Sequence, residues 1–238
     1  MVNGLLGDMS LDVDKIFAGL QFLREADRSF AVFGASGHEY RLRPCLDEAK
    51  IAEFEGRHSL RLPEDYRKFL MQVGNGGAGP YYGIYGLDEL CETRADYWND
   101  LSKPFPHRRQ WEGPPDLLKA INAAKVDKSF DQHRLAELID EYWRQASRDG
   151  SINVCEYGCN LRFLLIVNGP EFGCIWFDAT PDLAGYCPVA INRAAPLEPY
   201  AKWCITDEDT SEENRVGFAE WYHCWLDWAS RLVRGHTS

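Results

Sequence analysis

Residues 62–83, LPEDYRKFLMQVGNGGAGPYYG, encode an amphipathic helix followed at once by a cluster of glycines, and no other segment restricts the fold as much. Pro63 suits the first turn of a helix, where the positive end of the helix dipole also favours Glu64 and Asp65. Gly74 predicts the end of that helix, so the chain must turn sharply there. The apolar residues of the predicted helix recur at helical spacing, at Leu62, Tyr66, Phe69, Leu70 and Val73.

The glycine cluster, residues 74–79, matches the G-x-G-x-x-G pattern of dinucleotide-binding loops. Such a loop follows a strand and opens a helix, so that the phosphate meets a helix N-terminus. Here the order is reversed, because a helix precedes the glycines and Pro80-Tyr81-Tyr82 follows them. We therefore interpret Gly74, Gly76, Gly77 and Gly79 as structural, and we expect at least one of them to have a positive φ.

The remaining hydrophobic pattern predicts an α+β fold. Predicted helices cover residues 11–28, a segment capped by Asp47 that carries Ile51, Phe54 and His58, and residues 131–147 and 216–232. Predicted strands cover residues 30–33 and 40–42, as a hairpin, and then 152–155, 161–167 and 174–178, as consecutive antiparallel strands of which at least one is buried on both faces. Residues 98–116 predict a long connection. The absence of regular β-α alternation argues against a doubly wound sheet.

The charge balance narrows the possible partners. The chain of 238 residues has 26 Lys and Arg against 37 Asp and Glu, a net charge of -11. Neutralising phosphates requires clustered Lys and Arg, so general nucleic-acid binding is disfavoured and a basic protein partner is favoured. The stretch 171–213 holds nine acidic and two basic residues. We expect its densest acidic run to lie at or near the footprint of the partner, at Asp207, Glu208, Asp209, Glu212 and Glu213.

No segment of the sequence predicts a membrane or secretory location. Residues 1–15 lack the basic and apolar regions of a signal peptide, and the longest run of aliphatic or aromatic residues, at 163–167, is far shorter than the ~20 residues of a membrane span. We therefore expect a cytoplasmic protein with no membrane contact. Its eight cysteines are then expected to be reduced thiols rather than a disulfide framework.

Neither the cysteines nor the histidines form a recognisable metal or catalytic motif. Cys155-x3-Cys159, with Cys174 and Cys187, lacks the usual spacing of a zinc site, and these residues are better interpreted as small core hydrophobes. The six histidines include no H-E-x-x-H pair, and we expect His38 and His58 to be surface or hydrogen-bonded core positions. No catalytic residue, metal ion or cofactor is predicted. A Cys–His dyad assembled by folding stays open, because such dyads need no fixed sequence order.

The helix at residues 216–232 could form either core or a partner-binding face, since it is rich in Trp. Its apolar face is broad and has helical spacing, which favours core. We expect Phe218, Trp221 and Trp225 to be buried against the sheet.

The segment 62–83 resembles the signature of the SUKH superfamily, the Smi/Knr-type proteins. The matching positions are Leu62, Pro63, Asp65, Tyr66, Phe69, Leu70, Asn75, Gly76 and Gly77. Two further stretches are similar to bacterial members: the strand region 158–178, with Gly173 and Trp176, and the closing helix with Trp221 and Trp225.

The resemblance implies one central, mainly antiparallel sheet flanked by helices, with helices at both ends of the chain. It implies no enzymatic activity and supplies no catalytic residues. We expect an N-terminal helix in residues 1–27, a single domain in residues 28–234 and a disordered tail at 235–238.

Bacterial members of the superfamily mostly act as immunity proteins, so the resemblance implies a protein that binds and neutralises a cognate toxin. The negative net charge of the chain suggests that this toxin is a basic, nuclease-like protein. An intracellular scaffold or regulator without a toxin partner is the alternative, and an uncharacterised enzyme is a third hypothesis. The sequence predicts no oligomeric state.

Overall fold

The computed structural model describes residues 10–87, 99–127, 129–190 and 215–236. Its helices are α1 Val13–Ala26, α2 Ala35–His38, α3 Glu48–His58, α4 Glu64–Gln72, α5 Pro115–Val126, α6 Gln132–Gln145 and α7 Phe218–His236. Its strands are β1 Ser151–Gly158, β2 Leu161–Ile166, β3 Ile175–Asp178 and β4 Tyr186–Pro188. The α+β class is confirmed, with helices as the first and last elements of the described chain. The division at residues 27 and 234 stays a prediction.

The four strands form one antiparallel sheet in the order β1-β2-β3-β4. Phe163 lies opposite Phe177, and the next pair, Leu164 and Trp176, points to the other face because side chains alternate along a strand. All four of these residues are buried. The prediction of a strand buried on both faces is therefore confirmed, and the sheet separates two hydrophobic cores.

The larger core lies between the sheet and helices α1, α3, α4 and α7. The Trp221 ring lies 5.2 Å from that of Phe163 on β2, and the Phe218 ring lies 5.2 Å from that of Phe69 on α4. Phe218, Trp221 and Trp225 are at most 4% exposed, so their predicted burial is confirmed. Helix α1 packs along α7, and the backbone amide of Asp12 donates a hydrogen bond to Nε2 of His223 (3.0 Å).

The smaller core lies on the opposite face of the sheet, which is covered by chain without regular secondary structure. Phe105 contacts Trp176 edge-on, with ring centroids 5.0 Å apart, and Trp111 stacks on Tyr186. The predicted long connection is confirmed over residues 99–114, because α5 begins at Pro115. Helices α5 and α6 pack on each other. In α6, Tyr142 is buried, whereas Leu135, Leu138 and Ile139 are half-buried.

The predicted hairpin at residues 30–33 and 40–42 is wrong. The Asp27 carboxylate accepts hydrogen bonds from the backbone amides of Ala31 (2.7 Å) and Val32 (3.1 Å) and from the Tyr40 hydroxyl. These bonds curl the chain away from an extended path, and Phe30 has a φ of 55°. The short helix α2 lies where the hairpin turn was expected.

The glycine cluster forms a tight turn, as predicted, with φ of 85° at Gly76 and 101° at Gly77. Gly77 and Ile84 exchange both backbone hydrogen bonds (2.8 and 2.7 Å), and the Tyr85 amide then donates to the Val154 carbonyl on β1 (3.0 Å). A Cβ atom at Gly77 would lie 2.5 Å from the Arg41 carbonyl oxygen. The turn therefore fixes residues 80–83 beside the edge of the sheet.

Candidate functional site

Three loops meet beside the tip of the β1–β2 hairpin: residues 28–34, residues 80–83 and the turn at 158–160. They present two exposed aromatic side chains, Phe33 (43% exposed) and Tyr82 (49% exposed), whose ring centroids are 5.5 Å apart. The half-buried ring of Tyr157 lies 6.1 Å from that of Phe33. We call Phe33, Tyr82 and Tyr157 the aromatic patch.

Buried rings support the aromatic patch from below. The Tyr157 ring lies 4.8 Å from that of Tyr81, and Tyr81 stacks on Phe163 of β2 with centroids 5.0 Å apart. Tyr81 and Phe163 belong to the larger core. The exposed rings therefore rest on the core rather than extending from a detached loop.

Glycines from two elements hold the ring of Tyr82 in place. A Cβ atom at Gly158 would lie 3.3 Å from Cε2 of Tyr82, and one at Gly37 would lie 3.6 Å from its Cδ1. The ring thus lies against the bare backbone of the hairpin tip and of α2. Within the described chain, no residue hydrogen-bonds the Tyr82 hydroxyl, which leaves it available to a ligand.

The loops around the aromatic patch hold unusual backbone conformations. Eight non-glycine residues in the described chain have a positive φ, and four of them, Phe30, Tyr81, Cys159 and Asn160, lie in these three loops. A left-handed conformation costs an L-residue about 1–2 kcal/mol. Such strain persists only where the surroundings fix it, and it clusters at functional sites.

The surroundings of the aromatic patch carry no net charge. Residues 27–41, 80–83 and 156–162 contain three acidic and three basic residues. Arg41 pairs with Glu39 at 3.0 Å, and Arg162 lies opposite Glu156 across the hairpin. In a chain with a net charge of -11, this neutral area differs from the average surface.

The acidic residues expected at the partner footprint, Asp207, Glu208, Asp209, Glu212 and Glu213, lie outside the described residues. The described residues that flank them are paired: Ala190 forms an antiparallel bridge with Arg215, and the Val216 amide donates to the Val189 carbonyl (3.3 Å). The described residues on either side of segment 191–214 therefore meet at one place. That place adjoins Ile175, at the end of β3 far from the hairpin tip.

The buried thiols of Cys155 and Cys174 show no sign of catalytic activation. Burial raises the pKa of Cys174 to about 12 and that of Cys155 well above its usual range, whereas a catalytic thiolate needs a lowered pKa. Cys159 is exposed at the hairpin tip and Cys187 is half-buried in β4. Over the ranges that the structure describes, no three His, Cys, Asp or Glu residues are grouped as a metal site would require.

The histidines also occupy structural positions. His38 is buried, and its Nδ1 accepts a hydrogen bond from the Tyr40 amide (3.0 Å). Burial lowers its pKa to about 4, although the nearby carbonyls of Gly79 and Tyr81 act in the opposite direction. His58 is half-buried with its ring against that of Phe54, and burial lowers its pKa.

The motif residues are spread through the core. Leu62, Tyr66 and Trp176 are buried, and Pro63 is the residue immediately before α4. Burial raises the pKa of Asp65, although its carboxylate accepts a hydrogen bond from the Leu11 backbone amide, which acts in the opposite direction. The Asn75 side-chain oxygen accepts a hydrogen bond from the Leu87 amide (2.7 Å). The sequence analysis did not identify the aromatic patch, because it assigned Phe33 to a strand.

A bilayer-spanning helix, which must be both long and apolar, is not found among the helices of the described ranges.

The model of the SMI1 / KNR4 family (SUKH-1) matches residues 45–182. The match covers more than half of the chain, from the start of α3 to beyond β3, and includes Tyr82 and Tyr157. Comparison with curated proteins and with solved structures finds no match.

Proposed function

The chain belongs to the SMI1/KNR4 family (SUKH-1), and from this membership we propose that it is an immunity protein that binds and neutralises a cognate toxin without catalysing a reaction. Family membership is the observation that carries the proposal, because SUKH proteins are generally non-catalytic binding domains. The raised thiol pKa values of Cys155 and Cys174 also fit a role without nucleophilic chemistry.

We further propose that the partner is a basic protein of the nuclease type. A nuclease binds phosphate and therefore exposes a basic cleft, and an inhibitor with a net charge of -11 is attracted to such a cleft over a long range. The acidic residues at 207–213 are the densest negative run in the sequence and form the proposed footprint.

The test of the function is rescue. The open reading frame beside this gene is expressed from an inducible promoter in a susceptible host, with and without this chain. We expect growth to stop without the chain and to continue with it. A neighbouring product that is not toxic, or a toxin that the chain leaves fully active, contradicts the immunity function. Stable co-purification from the native host with a non-toxic protein supports the alternative, an intracellular scaffold or regulator.

The footprint is tested by measuring the rate at which this chain associates with the toxin identified in the rescue experiment. Replacing Asp207, Glu208, Asp209, Glu212 and Glu213 by their amides should slow association and flatten its dependence on salt, and we expect stability to be unchanged. A control with the same charge change elsewhere should have a much smaller effect. It replaces exposed acidic residues of the helical surface, Glu25, Glu53, Glu64, Glu137 and Asp140. Equal effects of the two variants would show that only net charge matters and would refute the footprint.

A further inference from the structure

We propose that the aromatic patch is a second contact surface for the protein partner, and that it takes uncharged apolar side chains, leucine-like or aromatic, rather than basic ones. The inference rests on the proposed function in one respect, since it assumes that the chain binds a protein. It differs from the acidic footprint in its residues and in its chemistry.

The exposed rings are suited to binding because they are already held in position. Phe33 rests on Tyr157 and Tyr82 lies against the backbone of Gly37 and Gly158. A fixed aromatic side chain loses little conformational entropy when a partner covers it, and Tyr is enriched among the residues that dominate binding energy. The Tyr82 hydroxyl, which makes no hydrogen bond to a described residue, can pair with a backbone group of the partner.

The backbone of the three loops gives independent support. Tyr81 is held at a φ of 53°, and a Cβ atom at Gly34 would lie 2.1 Å from the Tyr81 carbonyl oxygen. The backbones of the loop that carries Phe33 and the loop that carries Tyr82 are therefore in close contact at Gly34. Phe30 and Tyr81 are the left-handed residues whose cost binding can explain, because Cys159 and Asn160 form the two-residue turn between β1 and β2, in which a positive φ is usual.

The charges around the aromatic patch indicate which kind of partner side chain can bind there. Acidic and basic residues around the aromatic patch are equal in number, and Glu39 and Glu156 each face an arginine. A basic side chain would find no unpaired carboxylate there among the described residues. An uncharged apolar side chain would cover the rings without removing a lone charge from water, which is costly.

The aromatic patch and the described residue Arg215 lie at opposite ends of the sheet. The aromatic patch adjoins Gly158 at the hairpin tip, whereas Arg215 adjoins the start of β3, and the six residues of β2 span about 20 Å between these ends. Exposed charges mainly set the rate of association, and a desolvated aromatic contact mainly sets the rate of dissociation. The aromatic patch is thus expected to determine how long the partner stays bound.

The test uses blocked amino acids as probes on the intact chain. N-acetyl-leucinamide and N-acetyl-argininamide are titrated separately into the isotope-labelled protein, and backbone amide shifts are recorded by NMR. We expect N-acetyl-leucinamide to shift amides in residues 33–37, 81–83 and 157–160, with saturation in the millimolar range, and N-acetyl-argininamide to shift them several-fold less. Equal shifts with the two probes, or leucinamide shifts confined to other regions, would overturn the proposal.

Variants assign the effect to the rings. Tyr82→Ser and Phe33→Ser should each reduce the leucinamide shifts at least threefold, and Tyr82→Phe should retain most of them. Phe17→Ser is the matched control, because Phe17 is 47% exposed on α1 and lies outside the aromatic patch. Unchanged shifts in Tyr82→Ser would refute the assignment. Neither measurement requires a toxin, so a failed rescue experiment and a failed titration are separate outcomes.

Discussion

Arg215 and Glu171 form an ion pair in which both side chains are more than nine-tenths buried. The Arg215 guanidinium also donates to the Arg108 carbonyl and lies over the Trp176 ring, 5.8 Å from its centroid. One side chain therefore connects the turn after β2, the irregular chain over the smaller core and the residue that closes segment 191–214.

Breaking this ion pair from one side should destabilise the protein. Arg215→Met removes the guanidinium that pairs with the buried Glu171 carboxylate, and we expect the free energy of unfolding to fall by about 3–5 kcal/mol. Adding Glu171→Leu removes the buried carboxylate as well and should restore at least half of the loss. Urea unfolding of the two single variants and the double variant measures the coupling. A double variant as unstable as the sum of the singles would show that the two residues are not coupled.

The glycine turn should tolerate no side chain at Gly77. A valine there would face the Arg41 carbonyl oxygen at 2.5 Å while holding a positive φ, and we expect a loss of more than about 2 kcal/mol in unfolding free energy. Gly56→Ala is the control, because Gly56 lies within α3 and an added Cβ would meet no atom within 4 Å. That change should stabilise the protein by about 0.5–1 kcal/mol. Thermal or urea unfolding gives both values, and a neutral Gly77→Val would contradict the structure of the turn.

Trp221 should be one of the most costly side chains to truncate. It is 1% exposed and contacts Phe163 on the sheet and Phe218 on its own helix. Trp221→Ala should lower the unfolding free energy by about 3–5 kcal/mol through lost burial and the cavity that remains. Trp143→Ala, at a position 37% exposed on α6, should cost no more than about 1 kcal/mol. An unchanged melting temperature in Trp221→Ala would show that α7 is not part of the core.

His38 should make stability fall in mild acid. Its pKa is about 4 in the folded protein, because burial disfavours the charged ring, and near 6.5 when it is exposed. Between these values the unfolded chain binds a proton that the folded chain excludes, so the contribution is complete above about pH 6.5 and is lost as the pH falls towards 4. The loss amounts to about 3 kcal/mol.

His38→Gln removes the titrating ring and should reduce the decline in unfolding free energy between pH 7 and pH 4.5. His133→Gln is the control, because the side chain of His133 is 83% exposed. The ring pKa can also be followed directly by NMR, and a His38 titration midpoint near 6.5 would contradict its burial.

The sequence predicted those elements whose signals are local. Asp47 caps α3 by accepting from the Lys50 amide (2.9 Å), and α4 follows Pro63 and ends at Gln72, two residues before Gly74. In α7, the pattern of apolar residues at helical spacing is long enough to predict a helix by itself. Strands β1, β2 and β3 were recognised because their apolar runs are separated by Gly-containing turns.

Features that depend on distant residues were missed. Residues 30–33 are apolar enough for a strand, but the Asp27 carboxylate binds their amides, and no local pattern shows that a carboxylate will be turned inward. With only three residues, β4 was too short to detect. The aromatic patch requires the adjacency of Phe33, Tyr82 and Tyr157, which only the assembled sheet and glycine turn produce.

The hydrogen bond between the Asp12 amide and His223 joins residues 211 positions apart, and it marks where α1 meets α7. Phe218 and Trp221 of α7 fill the core between α4 and the sheet, so the earlier helices keep their apolar faces uncovered until α7 has been synthesised. Closing so long a loop comes late and slows folding. We therefore expect the larger core to be completed only after α7 has been synthesised and has left the ribosome.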